Sequence, residues 1–466
     1  MDSVGAFPLH EACSLGVDAV YAVLLGTQTE INTKDRTGMT PFDVAVGHDA
    51  KSLLQDAAMA FQADTAVCRR RCKVVLVGPV DVGKTTLVKR LMTKTFDPSI
   101  TATHGLEVSE WALPEDSRGQ DHCSISLWDL GGQDMYASTH AFFMTPGSVY
   151  CVLYRAHNYE DDSKLPQLEE YLDRIQALAP GSPMLLVGTQ AGEEQGSQHR
   201  PRPPKSLFDK YKTLVREPIF VSSKTGFGLS NLSRTLLDMA VEQANLTLKS
   251  LGDLPAESFA RLRKMVSVAQ RLVPRGEAPL MPLDEFVRLC ANCGVNTAAE
   301  IHKFMEVLSQ FGDLRVFKDV QATKDVVVLR PQWLADVMTH VVTTDSRKRD
   351  KLQAMDGCVS RVTLMQCLES LSPLHASGVV ELLELMGLLY AVEGGHAVLV
   401  PVLMKQWAFK DYTTCFFEQG PEKLVKVFVC GVKPEQLVSL VTIEMEVLRG
   451  EELFKGVKLP DKGAAV

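Results

Sequence analysis

Between residues 68 and 245, short apolar runs alternate with stretches of helical period. Val74–Val77, Ile125–Leu127, Val149–Leu153, Met184–Val187 and Ile219–Val221 are continuous apolar runs, as expected of strands buried on both faces. Amphipathic stretches follow Lys84 and occupy Leu165–Leu178 and Leu229–Ala240. This alternation predicts an α/β domain: a doubly wound parallel sheet covered by helices, with ligands at the carboxyl ends of its strands. Residues 112–121 and 192–204 read as surface loops. Beyond about residue 250 the pattern changes. Helical periods run through Met305, followed by a β-like Val326–Leu329, the stretch Arg330–Met338, a helix over Val379–Leu389 and a hairpin-like Tyr390–Val402 around Gly394-Gly395. An α+β unit over 250–466 is expected, without chemistry of its own.

The first 60 residues repeat. Phe7-Pro-Leu-His10 and Thr40-Pro-Phe-Asp43 place Pro8 and Pro41 33 residues apart, with Ala12 and Ala45 at matching positions. Between them lie a helix-like Leu15–Leu25 and the turn Ile31–Gly38. The period and the T-P-L-H-x-A type of start resemble ankyrin repeats, of which about two fit before residue 60. Two such units bury little surface alone, so they are expected to lean on the next domain or to have lost units upstream. The resemblance implies a surface for protein partners.

Candidate chemistry sits where the first strand meets the first helix. Gly78 to Thr85 reads GPVDVGKT, and Trp128-Asp-Leu-Gly-Gly-Gln133 places Asp129 45 residues after Lys84. Gly78 and Gly83 let the turn wrap closely, so that backbone N–H groups and the helix N-terminus face phosphates. Lys84 then reaches the outer phosphates and Thr85 coordinates magnesium, while Asp81, Val82 and Thr86 complete the cradle. Asp129 supplies a carboxylate for magnesium, Gly132 follows the terminal phosphate, and Gln133 holds an attacking water as the catalytic residue. The pair of motifs predicts a nucleoside triphosphate switch.

Composition adds boundaries. Of 466 residues, 45% are hydrophobic and 23% charged, ordinary for a globular chain of about three domains. The net charge is −8, and residues 1–68 hold nine acids against three bases, which argues against a nucleic-acid-binding arm. The basic run Arg69–Lys73 reads as a solvated linker. Eleven cysteines without a framework fit a reducing compartment, and Cys290-Ala-Asn-Cys293 reads as two packed thiols on a helix. No signal peptide or transmembrane run is read, so the expected location is cytoplasmic.

The order of repeats, GTPase-like domain and "VVLRPQWLADVM" resembles the Roco proteins, in which a Ras-like Roc GTPase domain is followed by a COR domain. The sharpest match is Gly131-Gly-Gln-Asp-Met-Tyr-Ala-Ser-Thr-His-Ala-Phe-Phe143, and Leu388–Pro401 is similar to a COR segment. The implied boundaries are ankyrin repeats at 1–60, Roc at 68–245 and a COR-like domain at 250–466 with a shortened C-terminal half.

The resemblance implies GTP or GDP as bound nucleotide, Mg2+, slow hydrolysis, and a possible homodimer through COR. It makes Thr103 the switch threonine and a third magnesium ligand, with Thr101 as competitor. It assigns the base to Thr189, Gln190 and the Ser222-Ser223-Lys224 element. His140 is expected to be a packed structural histidine beside Phe142 and Phe143. Two positions depart from the pattern: Gly192 stands where an Asp normally selects guanine, with Glu193 or Glu194 as substitutes, and Val80 occupies a usual glycine position, where it would crowd Gln133. A scaffold without useful base recognition and an NTPase that also takes ATP therefore stay open. No kinase signature is present.

Overall fold

A computed structural model describes residues 7–400, except 17–19, 21–22, 25–30, 64–69, 101–102, 104, 112–122, 133–136, 157–164, 192–202, 216, 253, 274–276, 318–325, 342–357, 370–375, 387 and 393–395. Thr101, Gln133, Gly192, Glu193, Glu194 and residues 401–466 lie outside the described residues, as do most of the two expected surface loops.

The chain opens with α1 (Pro8–Leu15), α2 (Pro41–Val44) and α3 (His48–Ala63). Proline at the first turn starts both α1 and α2, where its missing N–H costs nothing. Thr40 and Asp43 close a reciprocal capping box on α2. The first helix occupies Pro8–Leu15, and of the helix expected over Leu15–Leu25 the described Val20, Val23 and Leu24 are helical.

Leu9, Leu53, Leu54 and Ala57 share a cluster with Phe259, Leu262 and Val266 of α9 (Ala256–Leu272), far along the chain.

The central sheet is built from β1 (Arg70–Val77), β2 (Leu106–Trp111), β3 (Cys123–Leu130), β4 (Val149–Arg155), β5 (Met184–Thr189) and β6 (Ile219–Phe220), in the order β2-β3-β1-β4-β5-β6. Every pairing is parallel except β2 with β3, which runs antiparallel from Leu106↔Leu130 to Trp111↔Ile125. The wholly parallel sheet is thus corrected to a mixed one with an antiparallel edge.

Its helices are α4 (Lys84–Thr93), the short α5 (Ala137–His140) followed by a 3-10 turn at Ala141–Phe143, α6 (Leu165–Leu178), α7 (Lys205–Lys210) and α8 (Leu229–Lys249). Leu87, Leu91, Leu232 and Leu236 cover one face of the sheet, against Val74, Leu76 and Leu127.

The second half contains α10 (Leu283–Asn292), α11 (Ala298–Phe311), α12 (Pro331–Val341), α13 (Arg361–Leu368) and α14 (Ala376–Leu385). Two three-stranded antiparallel sheets accompany them: β7 (Leu280–Pro282), β9 (Val326–Val328) and β8 (Arg315–Phe317), then β10 (Cys358–Ser360), β12 (Ala397–Leu399) and β11 (Tyr390–Val392). Leu334, Val337 and Met338 of α12 enter the core on the other face of the large sheet, with Val75, Trp128, Tyr150 and Leu172. The second half thus supplies part of the cover that the GTPase-like sheet needs.

One side-chain reading changes here. Residues 70–73 are not a linker but the first half of β1. Lys73 is buried, with Nζ donating to Phe143 O and lying 3.8 Å from the Trp128 ring centroid, and burial pushes its amine well below the usual lysine range. Cys290 and Cys293 are both buried, and desolvation raises their thiols to about 12 and about 11, as inert packed thiols require.

Candidate nucleotide site

Immediately after β1 the backbone leaves the β region. Gly78 has φ +148 and lies so close to β4 that a Cβ would come 2.5 Å from Leu153 O. Asp81 (φ 58) and Gly83 (φ +91) are left-handed, and Gly83 caps α4. The chain between them wraps into a cradle above the N-terminus of α4, the geometry that presents N–H groups to an anion.

Lys84 is nearly buried beneath this cradle, and its Nζ donates to Gly78 O at 2.8 Å and Pro79 O at 2.9 Å. Burial lowers its pKa to about 8, partly offset by the negative charges of Asp129 and Asp81. Gly132 sits flush against the loop: a Cβ there would lie 2.6 Å from Val80 N and 2.7 Å from Lys84 Nζ. Only glycine allows this approach. Gly131 N donates to Gly105 O at 2.7 Å, joining the two segments that flank the site.

Three oxygen-bearing side chains converge at the end of the cradle. Thr85 Oγ1 and Thr103 Oγ1 lie against each other and against Asp129 Oδ2, Thr103 at 3.0 Å, so that their two hydroxyl hydrogens serve these contacts between them. Asp129 is 1% exposed, and its other oxygen, Oδ1, is buried without a hydrogen-bond partner among the described residues. Burial raises its pKa, against the lowering effect of Thr85, Lys84 and Thr103. An orphaned carboxylate oxygen beside two hydroxyls is an all-oxygen donor set suited to a hard divalent cation, so these residues fit Mg2+. Burial shifts Lys84 and Asp129 toward their neutral forms, and a bound anion and cation would reverse both shifts.

The far wall is made by the loops after β5 and β6. Thr189 Oγ1 lies 2.8 Å from Val82 O and 3.1 Å from Tyr154 O, tying the end of β5 to the loop between β1 and α4. Gln190 is left-handed (φ 58) and lines the pocket with Ser223 and Lys224. Ser222 is fully buried, and its Oγ accepts from Thr225 N, so it shapes the turn while its neighbours form the wall. Val80, Asp81, Val82, Lys84, Thr85, Thr86, Thr103 and Gly132 line the same cavity, with Val80 43% exposed at its mouth.

Phe96 and Ile100 also line the cavity, and Arg155 Nη2 donates to Asp81 O at 3.0 Å, although sequence reasoning singled out none of the three. The one signal for Arg155 was a charge at the end of an apolar strand. His140 is buried, hydrogen-bonded to the Gly105 backbone, and pushed by desolvation to about 3. It is neutral and structural.

Residues 73–192 match the model of the Ras of Complex, Roc, domain of DAPkinase, and residues 262–404 match the C-terminal of Roc, COR-A domain. The chain is 26% identical over 319 residues to the probable serine/threonine-protein kinase pats1 of Dictyostelium discoideum, covering 64% of this chain and 9% of that protein. It is 24% identical to the rat Ras-related protein Rab-27B over 37% of this chain and 80% of the relative. Its fold is similar to the solved RocCORdC of Methanosarcina barkeri Roco2, bound to GDP, with a TM-score of 0.53, 22% identity, and coverage of 72% of this chain and 95% of that one. The chain spans only 9% to 12% of the length of three of the kinase and cyclic-GMP-binding relatives it matches. Among the described residues, no helix is long and apolar enough to cross a membrane.

Proposed function

We propose that this chain is a Roco-type GTP-binding switch that hydrolyses GTP slowly and acts within a signalling scaffold. The observation that carries the proposal is the convergence of Lys84, Thr85, Thr103, Asp129 and Gly132 on one left-handed loop. The Roc and COR-A matches and the GDP-bound Roco2 relative support it.

In this reading, Lys84 and the loop amides bind the phosphates, and Thr85, Thr103 and Asp129 hold magnesium. Magnesium, when bound, neutralises charge on the phosphate oxygens. Gly132 follows the terminal phosphate, and Gln133 orients water. Thr189 and Gln190, with Ser222–Lys224, form the base side. The domains are those of the sequence reading: repeats at 1–60, Roc at 68–245 and COR-like at 250–466, with protein partners on the repeats, a homodimer through COR and a cytoplasmic location.

A second reading, relaxed base preference, is favoured by a carboxamide, Gln190, at the pocket wall and by Gly192 at the selecting position. Losing a charge-assisted pair to guanine weakens binding by roughly 2–3 kcal/mol, or one to two orders of magnitude. Titration with fluorescent GTP, GDP and ATP analogues, with and without magnesium, tests both. The expected result is magnesium-dependent binding with modest preference for GTP, and a gain of about ten- to a hundredfold for GTP in Gly192→Asp, with ATP little changed. A wild type preferring GTP by about a thousandfold would assign base selection to another group, with Glu193 and Glu194 the first to mutate.

A further inference from the structure

The stretch Arg330–Met338 ends up on the switch side of the GTPase-like sheet. Pro331 opens α12, and Gln332, one residue later, reaches the outer edge of β2. Its Oε1 accepts from Val108 N at 2.7 Å, and its Nε2 donates to Leu106 O at 2.8 Å. The second Nε2 hydrogen meets Asp336 Oδ1, also at 2.8 Å, one turn along the same helix. A carboxylate only accepts, so Asp336 fixes which end of the carboxamide is nitrogen. Gln332 therefore offers the edge the donor and acceptor that an added strand would offer, and it covers backbone groups an edge strand otherwise exposes.

This edge begins three residues after Thr103. Gly105, between them, packs directly on α12: a Cβ there would lie 1.9 Å from Thr339 Oγ1. Gly105 O in turn accepts from Gly131 N, beside the glycine that touches Lys84. One helix of the second half thus touches the segment that carries Thr103, and that segment, through Gly105, holds the backbone of Gly131.

We propose that Gln332, oriented by Asp336, is a positioning residue for Thr103. Through Leu106 and Val108 it holds the Thr103–Leu106 segment in place, so that the hydroxyl stays against Asp129 and Thr85, and α12 sets how readily the cation end of the site opens. The inference rests on the nucleotide-switch reading above, and its test has an arm that does not.

In the nucleotide-free full chain, Gln332→Leu removes both edge bonds at similar size. Hydrogen–deuterium exchange at 103–111 and around Gly131 should quicken at least fivefold, since the amide of Val108 loses its partner, while α8 on the opposite face of the sheet is unchanged. Release of a fluorescent GDP analogue in magnesium should quicken by roughly five- to tenfold, as expected for one or two lost hydrogen bonds. In chelator the variant and wild type should release at the same rate, because Thr103 acts on nucleotide through the cation. A merely adhesive role for Gln332 would not make the difference depend on magnesium.

If Gln332→Leu does not fold, Gln332→Glu replaces it, since a carboxylate cannot donate to Leu106 O and would face Asp336. Unchanged exchange at 103–111 overturns the proposal, as does raised exchange with equal release rates in magnesium. A wild type that binds no nucleotide overturns the reading of the pocket instead, leaving the exchange arm to decide whether the latch exists.

Discussion

Lys84→Ala is expected to weaken GTP and GDP binding by about a thousandfold, the order of a lost buried charge-assisted contact of roughly 4 kcal/mol. Lys84 Nζ is the cation held at the centre of the loop, and burial already strains its charge, with the pKa lowered to about 8. The same shift sets a pH dependence. Below about pH 8 the free protein carries the proton that a phosphate needs. Above it, binding must take up a proton, so affinity falls as pH rises, by up to tenfold per unit. Isothermal titration between pH 7.5 and 9.5, on wild type and Lys84→Ala, checks both parts. A melting curve confirms that the variant is folded. Unchanged affinity in a folded Lys84→Ala protein would remove the nucleotide from this pocket altogether.

The tight turn between β1 and α4 was legible because its backbone constrains its sequence. Gly78 turns over β4 with no room for a side chain, and Gly83 must be left-handed. The central strands were legible as apolar runs because helices cover both faces. β2 was not, because Leu-Glu-Val-Ser-Glu-Trp is half polar, and its outer edge is satisfied by a side chain 224 residues away. Lys73 was misread for a similar reason: in a basic run a lysine looks solvated, and only Trp128 and the Phe143–Thr145 turn give it a buried place. The left-handed Asp81 and Gln190 carry no glycine to announce them. The packing of the first helices on α9 joins segments some two hundred residues apart, beyond any local pattern.

Asp313→Ala should produce the largest loss of stability, because one carboxylate joins the two halves of the molecule. Asp313 follows α11, and Arg263 of α9 reaches its Oδ2 at 2.8 Å while Arg71 of β1 reaches Oδ1 at 3.3 Å. Arg71 also pairs with Glu110 on β2, so the network runs from the second half across β1 to the edge strand. Arg263 and Asp313 are 8% and 9% exposed at their side chains, too little for solvent to replace a missing partner. Removing one member of a buried pair typically costs about 3–5 kcal/mol, most of it the penalty of leaving the other charge buried. Here two arginines lose their shared anion, although Arg71 keeps the half-exposed Glu110. Denaturant unfolding followed by tryptophan fluorescence should move to lower midpoint by about that amount, since Trp128 is buried in the core that the two halves share. Asp313→Asn, which keeps the shape and some hydrogen bonding, should fall between. Added salt should weaken the wild type only slightly, because screening acts on the Glu110 end and not on the buried carboxylate. An Asp313→Ala midpoint equal to wild type would mean that apolar packing alone holds the second half to the sheet, and the ion network would then carry none of the docking.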